Sequence, residues 1–209
     1  MLHSAIPAAA REQDPDEACR MGMMTTRGAE GLDRRAFTVA EIERMQELGI
    51  FHPDEKFELV EGEIVPMQAK STIHEVIKET ITQRLVRNLP DHLWFGVERT
   101  IFLSEKTALD PDVSLFEERY KTEKVDGQRL MLVIEVSHSS LGYDRGLKAR
   151  LYARYGVAEY WVVDVKRRRT FVHTDPNGDG TWAAVRIVER HEALTLPAVP
   201  GFSVSLAEF

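Results

Sequence analysis

Asp110-Pro111-Asp112 and Ile134-Glu135-Val136-Ser137 hold the residues of this chain best suited to chemistry. Glu135 follows Asp112 by 23 positions and sits against the apolar run Leu130-Met131-Leu132-Val133-Ile134. A carboxylate in such a run is costly to bury without a partner, and a divalent cation is the usual partner of two converging carboxylates. Mg²⁺ or Mn²⁺ held by Asp112 and Glu135 would polarise a phosphate oxygen and ease deprotonation of a bound water. Taken singly, Asp112 reads equally well as a turn residue after proline. Glu135 is harder to explain as a solvent-facing edge residue, because its neighbours are apolar on both parities. The segment from Tyr143 to Tyr155 reads as a helix with Asp144, Lys148 and Tyr152 on one stripe and Leu147, Leu151 and Tyr155 on the next. On spacing alone, Lys148 is half of an Asp144–Lys148 surface pair contributing roughly a few tenths of a kcal/mol. Its other reading is an ammonium facing a phosphate. Two carboxylates and a nearby ammonium are the parts of a metal-dependent phosphodiester hydrolase.

Other polar residues carry weaker signals. His74 starts a helix off its isoleucine stripe and reads as a surface or capping residue. Glu58, Glu61 and Glu63 alternate with apolar residues as on a solvated hairpin face, from which one carboxylate could reach a site. Lys166-Arg167-Arg168-Arg169 reads first as a solvated turn and second as a contact for a phosphate backbone. His138 and His173 are isolated. The chain has no phosphate-binding glycine loop, no paired-cysteine zinc spacing and no Gly-x-Ser-x-Gly elbow.

The elements that must position these groups follow from periodicity. Residues 1 to about 35 lack a helix or strand pattern and are expected to form a flexible tail ahead of one domain spanning 36–209. Thr38 and Glu41 form a capping-box pattern for a helix over Val39 to Leu48. Phe57 to Val60 and Ile64 to Met67 flank Glu61-Gly62-Glu63 as a hairpin. Ile73, Ile77, Ile81 and Leu85, widened by Val76, Val86 and Leu89, mark a long helix from Thr72 to Leu89. Strands are expected at Leu93 to Leu103, Asp112 to Phe116, Leu130 to Ser137 and Tyr160 to Asp164. A last hairpin joins Thr170 to Thr174 with Trp182 to Glu189. This order predicts an α/β or α+β fold with a mixed central sheet flanked by helices.

At 209 residues with a net charge of -7, the chain is expected to lack an extended surface that tracks phosphates, though local basic groups remain compatible with a nucleic-acid substrate. No apolar run approaches a membrane span, and a secretory signal is not expected. The lone Cys19 suits a reducing cytoplasm.

From Phe37 onward the chain resembles the Uma-two endonuclease family, a branch of the PD-(D/E)XK restriction-endonuclease-like superfamily. The resemblance rests on Phe57 to Glu63, His74, Pro111-Asp112-Val113, Ile134 to Ser137, Tyr143 to Lys148 and, most densely, Leu151 to Asp164. It implies a restriction-endonuclease-like core in which Asp112 and Glu135 are the paired acidic residues of a Mg²⁺- or Mn²⁺-dependent endodeoxyribonuclease. The superfamily lysine would stand at Ser137; the resemblance moves that role to Lys148 in the next helix, with His74 and Glu58 as lesser catalytic candidates. DNA is the expected substrate, and RNA is not separated from it. A homodimer is expected, with Tyr160-Trp161 and Phe202 to Phe209 as contact surface. The rival reading is an inactive nuclease fold that binds DNA or a partner protein.

Overall fold

The computed structural model describes residues 25–27 and 33–209; Cys19 and most of the tail lie outside them. Within the stretch expected to lack elements, β1 (Thr25–Arg27) pairs with β2 (Asp33–Arg35). The predicted capping box opens α1 (Val39–Glu47): Glu41 N–H donates to Thr38 Oγ1 at 3.2 Å, and Thr38 N–H donates to Glu41 Oε2 at 2.9 Å. The hairpin of β3 (Phe57–Val60) and β4 (Glu63–Pro66) turns at Glu61 and Gly62, with φ of 49° and 90°. Positive φ at both residues is what a two-residue type I′ connection requires.

Ser71 caps α2 (Thr72–Asn88). Its buried face is His74, Ile77, Lys78, Ile81 and Leu85, whereas Ile73, Val76 and Val86 are exposed. The apolar stripe is therefore narrower than its sequence suggested, and His74 belongs to the inner face.

The strand expected over 93–103 is two strands in different sheets. β5 (Leu93–Val97) ends at Glu98, whose φ of 49° turns the chain into β6 (Ile101–Ser104). β7 (Thr107–Leu109), β8 (Val113–Glu117) and β9 (Leu130–Ser137) follow. The helix expected from Tyr143 is interrupted: α3 (Leu141–Tyr143) passes through a π-helical stretch, Asp144–Lys148, into α4 (Ala149–Arg154). Then come β10 (Glu159–Asp164), β11 (Arg169–Asn177), β12 (Thr181–Val188), and the short pair β13 (Leu194–Thr195) and β14 (Ser203–Val204).

The main sheet has the order β12-β11-β10-β9-β8-β5, and a second has the order β4-β3-β7-β6. Within the main sheet only β9 and β10 run parallel. A parallel pair needs a crossover, and α3, the π-helical turn and α4 supply it. Alternation along β9 sends Leu132, Ile134 and Val136 to the side packed with α2, and Val133 to the side packed with α4 and the second sheet. Glu135 has the parity of Val133 and so enters the α4 side. Tyr160, Trp161, Phe202, Val204 and Leu206 are at most 3% exposed, so these apolar side chains expected at a dimer contact are instead inside the chain, while Phe209 is half-buried and Ser203 and Glu208 are exposed. Among the described residues no helix is long and apolar enough to cross a membrane.

Candidate active site

The carboxylates meet because of sheet register. Val97 pairs with Val113, and Val113 with Ile134. One step further along, Glu98 just past β5 and Asp112 just before β8 come level with Glu135, two residues before the end of β9. The Glu98 N–H donates to the Asp112 carbonyl at 3.3 Å, closing that end. Glu58, His74, Asp112, Glu135 and Lys148 all line one cleft of about 360 Å³. Each is at most 5% exposed.

Lys148 arrives through the π-helical turn. Its Nζ donates to Glu58 Oε1 and to Glu135 Oε1, both at 2.8 Å. The surface pair with Asp144 is therefore not formed. Asp144 instead accepts from Ser137 Oγ at 2.6 Å and Ser140 Oγ at 2.5 Å. Ser137, which holds the place of the superfamily lysine, thus ties the strand end to the start of the turn that carries Lys148. Glu58 comes from β3 of the second sheet and also accepts the Asp110 N–H at 3.1 Å. Tyr152 OH donates to Glu135 Oε1 at 3.0 Å, leaving Oε2 outside these bonds.

Charges here strongly perturb one another. Burial, and then the nearby carboxylates of Asp144, Asp112 and Glu58, push the Glu135 carboxyl well above its usual range against the pull of Lys148. Burial works against the charge on Lys148, but Glu135, Glu58 and Asp144 more than reverse this and hold it firmly protonated. Burial likewise opposes the Asp112 charge, yet His74 and Lys70 bring its carboxyl down to about 2.

On the opposite wall both oxygens of Asp112 have partners. Its Oδ2 accepts the Val136 N–H at 2.7 Å and lies 3.0 Å from His74 Nε2. The other imidazole nitrogen, Nδ1, is 3.1 Å from Glu75 Oε1. Oδ1 accepts from Lys70 Nζ at 2.7 Å, and the same ammonium donates to Glu98 Oε1 at 2.9 Å. Glu98 also meets Lys78, which in turn is 2.7 Å from Glu75. Hydrogen bonds from Lys78 and Lys70, partly opposed by burial, take the Glu98 carboxyl down to about 2.

Sequence reasoning missed Lys70, Lys78 and Glu98. Lys78 could have been found from its place four residues after His74 on the face of Ile77 and Ile81. Lys70 and Glu98 lie at element ends, where periodicity carries no signal. The basic run stands outside this cleft: Arg167 is exposed, while Arg169 turns back, its Nε 3.6 Å from Asp164 Oδ2 and its guanidinium 4.9 Å from the Phe171 ring centre.

Among the described residues no three histidine, cysteine or acidic groups form a ready-made cation cage. The donor set nevertheless fits a hard, water-rich ion such as Mg²⁺, which takes one or two carboxylates and completes its shell with water and phosphate oxygens. Glu135 Oε2 is uncommitted, and Asp112 Oδ1 is held only by a side-chain ammonium.

A solved structure described as a putative nuclease belonging to DUF820 from Anabaena variabilis matches this chain with a TM-score of 0.63 and 16% identity, covering 82% of this chain and 96% of that one. The match shows the fold, a restriction-endonuclease-like α+β arrangement with a mixed sheet. No curated protein matches the chain. The family model described as "Uma2: Putative restriction endonuclease" matches residues 39–207, which takes in both sheets and every residue of the cleft, and the chain belongs to that family.

Proposed function

We propose that the protein is a metal-dependent endonuclease hydrolysing DNA phosphodiesters at the cleft between Asp112 and Lys148. One observation carries the reading: Asp112, Glu135 and Lys148, far apart in sequence, line the same buried-walled cleft. Family membership and the nuclease named for the solved relative support it. Hydrolysis forms a new bond from water oxygen to phosphorus and breaks one phosphorus–oxygen ester bond. Asp112 and Glu135 would hold Mg²⁺ or Mn²⁺, which when bound supplies Lewis-acid polarisation of phosphate oxygen and a more acidic water. Lys148, kept charged by its carboxylates, cannot accept the water's proton. Its role is to offset negative charge as it grows on the phosphate oxygens. Glu58 and Tyr152 hold that ammonium and Glu135 in place. Arg167 would contact the DNA backbone beyond the cleft.

Nicking of supercoiled plasmid by the purified chain with Mg²⁺ or Mn²⁺, and its loss with EDTA, tests the reading. Asp112→Ala and Glu135→Ala should both abolish nicking; unchanged cleavage by either variant would refute it. The second reading, a binding module, draws on the ion pairs that already neutralise the site. Tight DNA binding with no nicking under any metal would favour it. Parallel assays on RNA separate the two substrates.

A further inference from the structure

Two ammonium groups face the cleft, and their freedom differs. Lys148 Nζ is locked between Glu58 and Glu135, with its side chain 6% exposed. Lys70 stands on the segment between β4 and α2, with its side chain 22% exposed. Asp112 Oδ2 is held by backbone and imidazole, so Oδ1 is the oxygen open to an incoming cation, and Lys70 is its one hydrogen-bond partner there. A divalent ion bonded to Oδ1 would place like charges within a few ångströms of each other, and the ammonium must then leave. Glu98, which already accepts from Lys70 at 2.9 Å, also serves Lys78 and, at 3.5 Å, Lys56, so with Asp112 taken by the ion three ammonium groups are left to share one carboxylate. One positive charge becomes surplus at the mouth of the cleft, where a phosphate is the anion to receive it.

We propose that Lys70 is the movable cation of this site: its ammonium neutralises Asp112 and Glu98 in the absence of a divalent ion, and passes to a non-bridging oxygen of the substrate phosphate once an ion takes Asp112. The inference rests on the nuclease reading and adds a substrate-contacting residue to it.

Calorimetric titration of the full chain with Mn²⁺ alone tests the first half. Lys70→Ala and Lys70→Gln should both bind Mn²⁺ about two- to fivefold more tightly than the parent, since the competing ion pair is gone. Binding of a short DNA duplex with Ca²⁺ present tests the second half. The salt slope of log K should fall by about one unit in both variants, the loss of one phosphate contact. Equal Mn²⁺ affinity in all three proteins overturns the competition, and an unchanged salt slope overturns the transfer. If the parent binds and nicks but the Lys70 variants behave identically to it, only this inference fails. If the parent neither binds Mn²⁺ nor nicks DNA, the nuclease reading falls with it.

Discussion

The two walls of the cleft use the same device and pay differently for it. On each, one lysine bridges two carboxylates at hydrogen-bond distances between 2.7 and 2.9 Å. The Lys148 wall is sealed by α4, β3 and β9, so both charges and their partner have left water. The Lys70 wall keeps part of its hydration. Geometry alone therefore does not rank these ion pairs; burial does. Breaking a sealed pair strands an uncompensated charge, whereas an open pair gives way to water at small cost.

The largest test of that contrast is Lys148→Met. It leaves Glu58 and Glu135 facing each other and should cost about 3–5 kcal/mol in urea unfolding. A loss under about 1 kcal/mol would mean that water already reaches this wall. Tyr152→Phe comes next: it removes a buried donor to Glu135 and should cost about 1.5–3 kcal/mol, with nicking reduced. Lys70→Ala should cost at most about 1 kcal/mol, and a loss matching that of Lys148→Met would erase the distinction. The smallest effect is a pH dependence on the open wall. Glu98 is pulled from an ordinary value of 4.5 to about 2, so it binds protons less readily folded than unfolded. Its stabilisation is fully present above about pH 4.5 and fades as pH falls toward 2, reduced throughout by solvent screening. The melting temperatures of the parent and Glu98→Gln should converge across that window; a constant gap would place the benefit of Glu98 outside its charge.

The sealed wall was legible in the sequence in part; on the open wall Asp112 stood out, and the lysines and Glu98 that surround it did not. Glu135 announced itself because a carboxylate in a doubly buried strand has few explanations. Lys148 did not: four-residue spacing after Asp144 suggested a surface pair, and the π-helical turn that redirects both side chains has no periodic signature. The resemblance, rather than the spacing, brought it forward. Glu58 and His74 looked like surface residues because the second sheet and the inner face of α2 are defined by contacts distant in sequence. Likewise, an apolar run over 93–103 hides a change of sheet, since a single positive φ at Glu98 decides it.

The extra residue in the turn between Ser137 and α4 has a consequence for how this protein can vary. An α-helix advances about 100° per residue, so deleting one position from Asp144–Lys148 would swing the following side chains around the axis by that amount. Lys148 would leave Glu58 and Glu135 even though its identity is untouched. Side-chain exchange at Arg145 or Leu147 alters surface and packing but not that aim. The position of the ammonium is thus set by chain length in one short stretch, and a shortened relative would keep every recognisable residue while losing the arrangement that unites them.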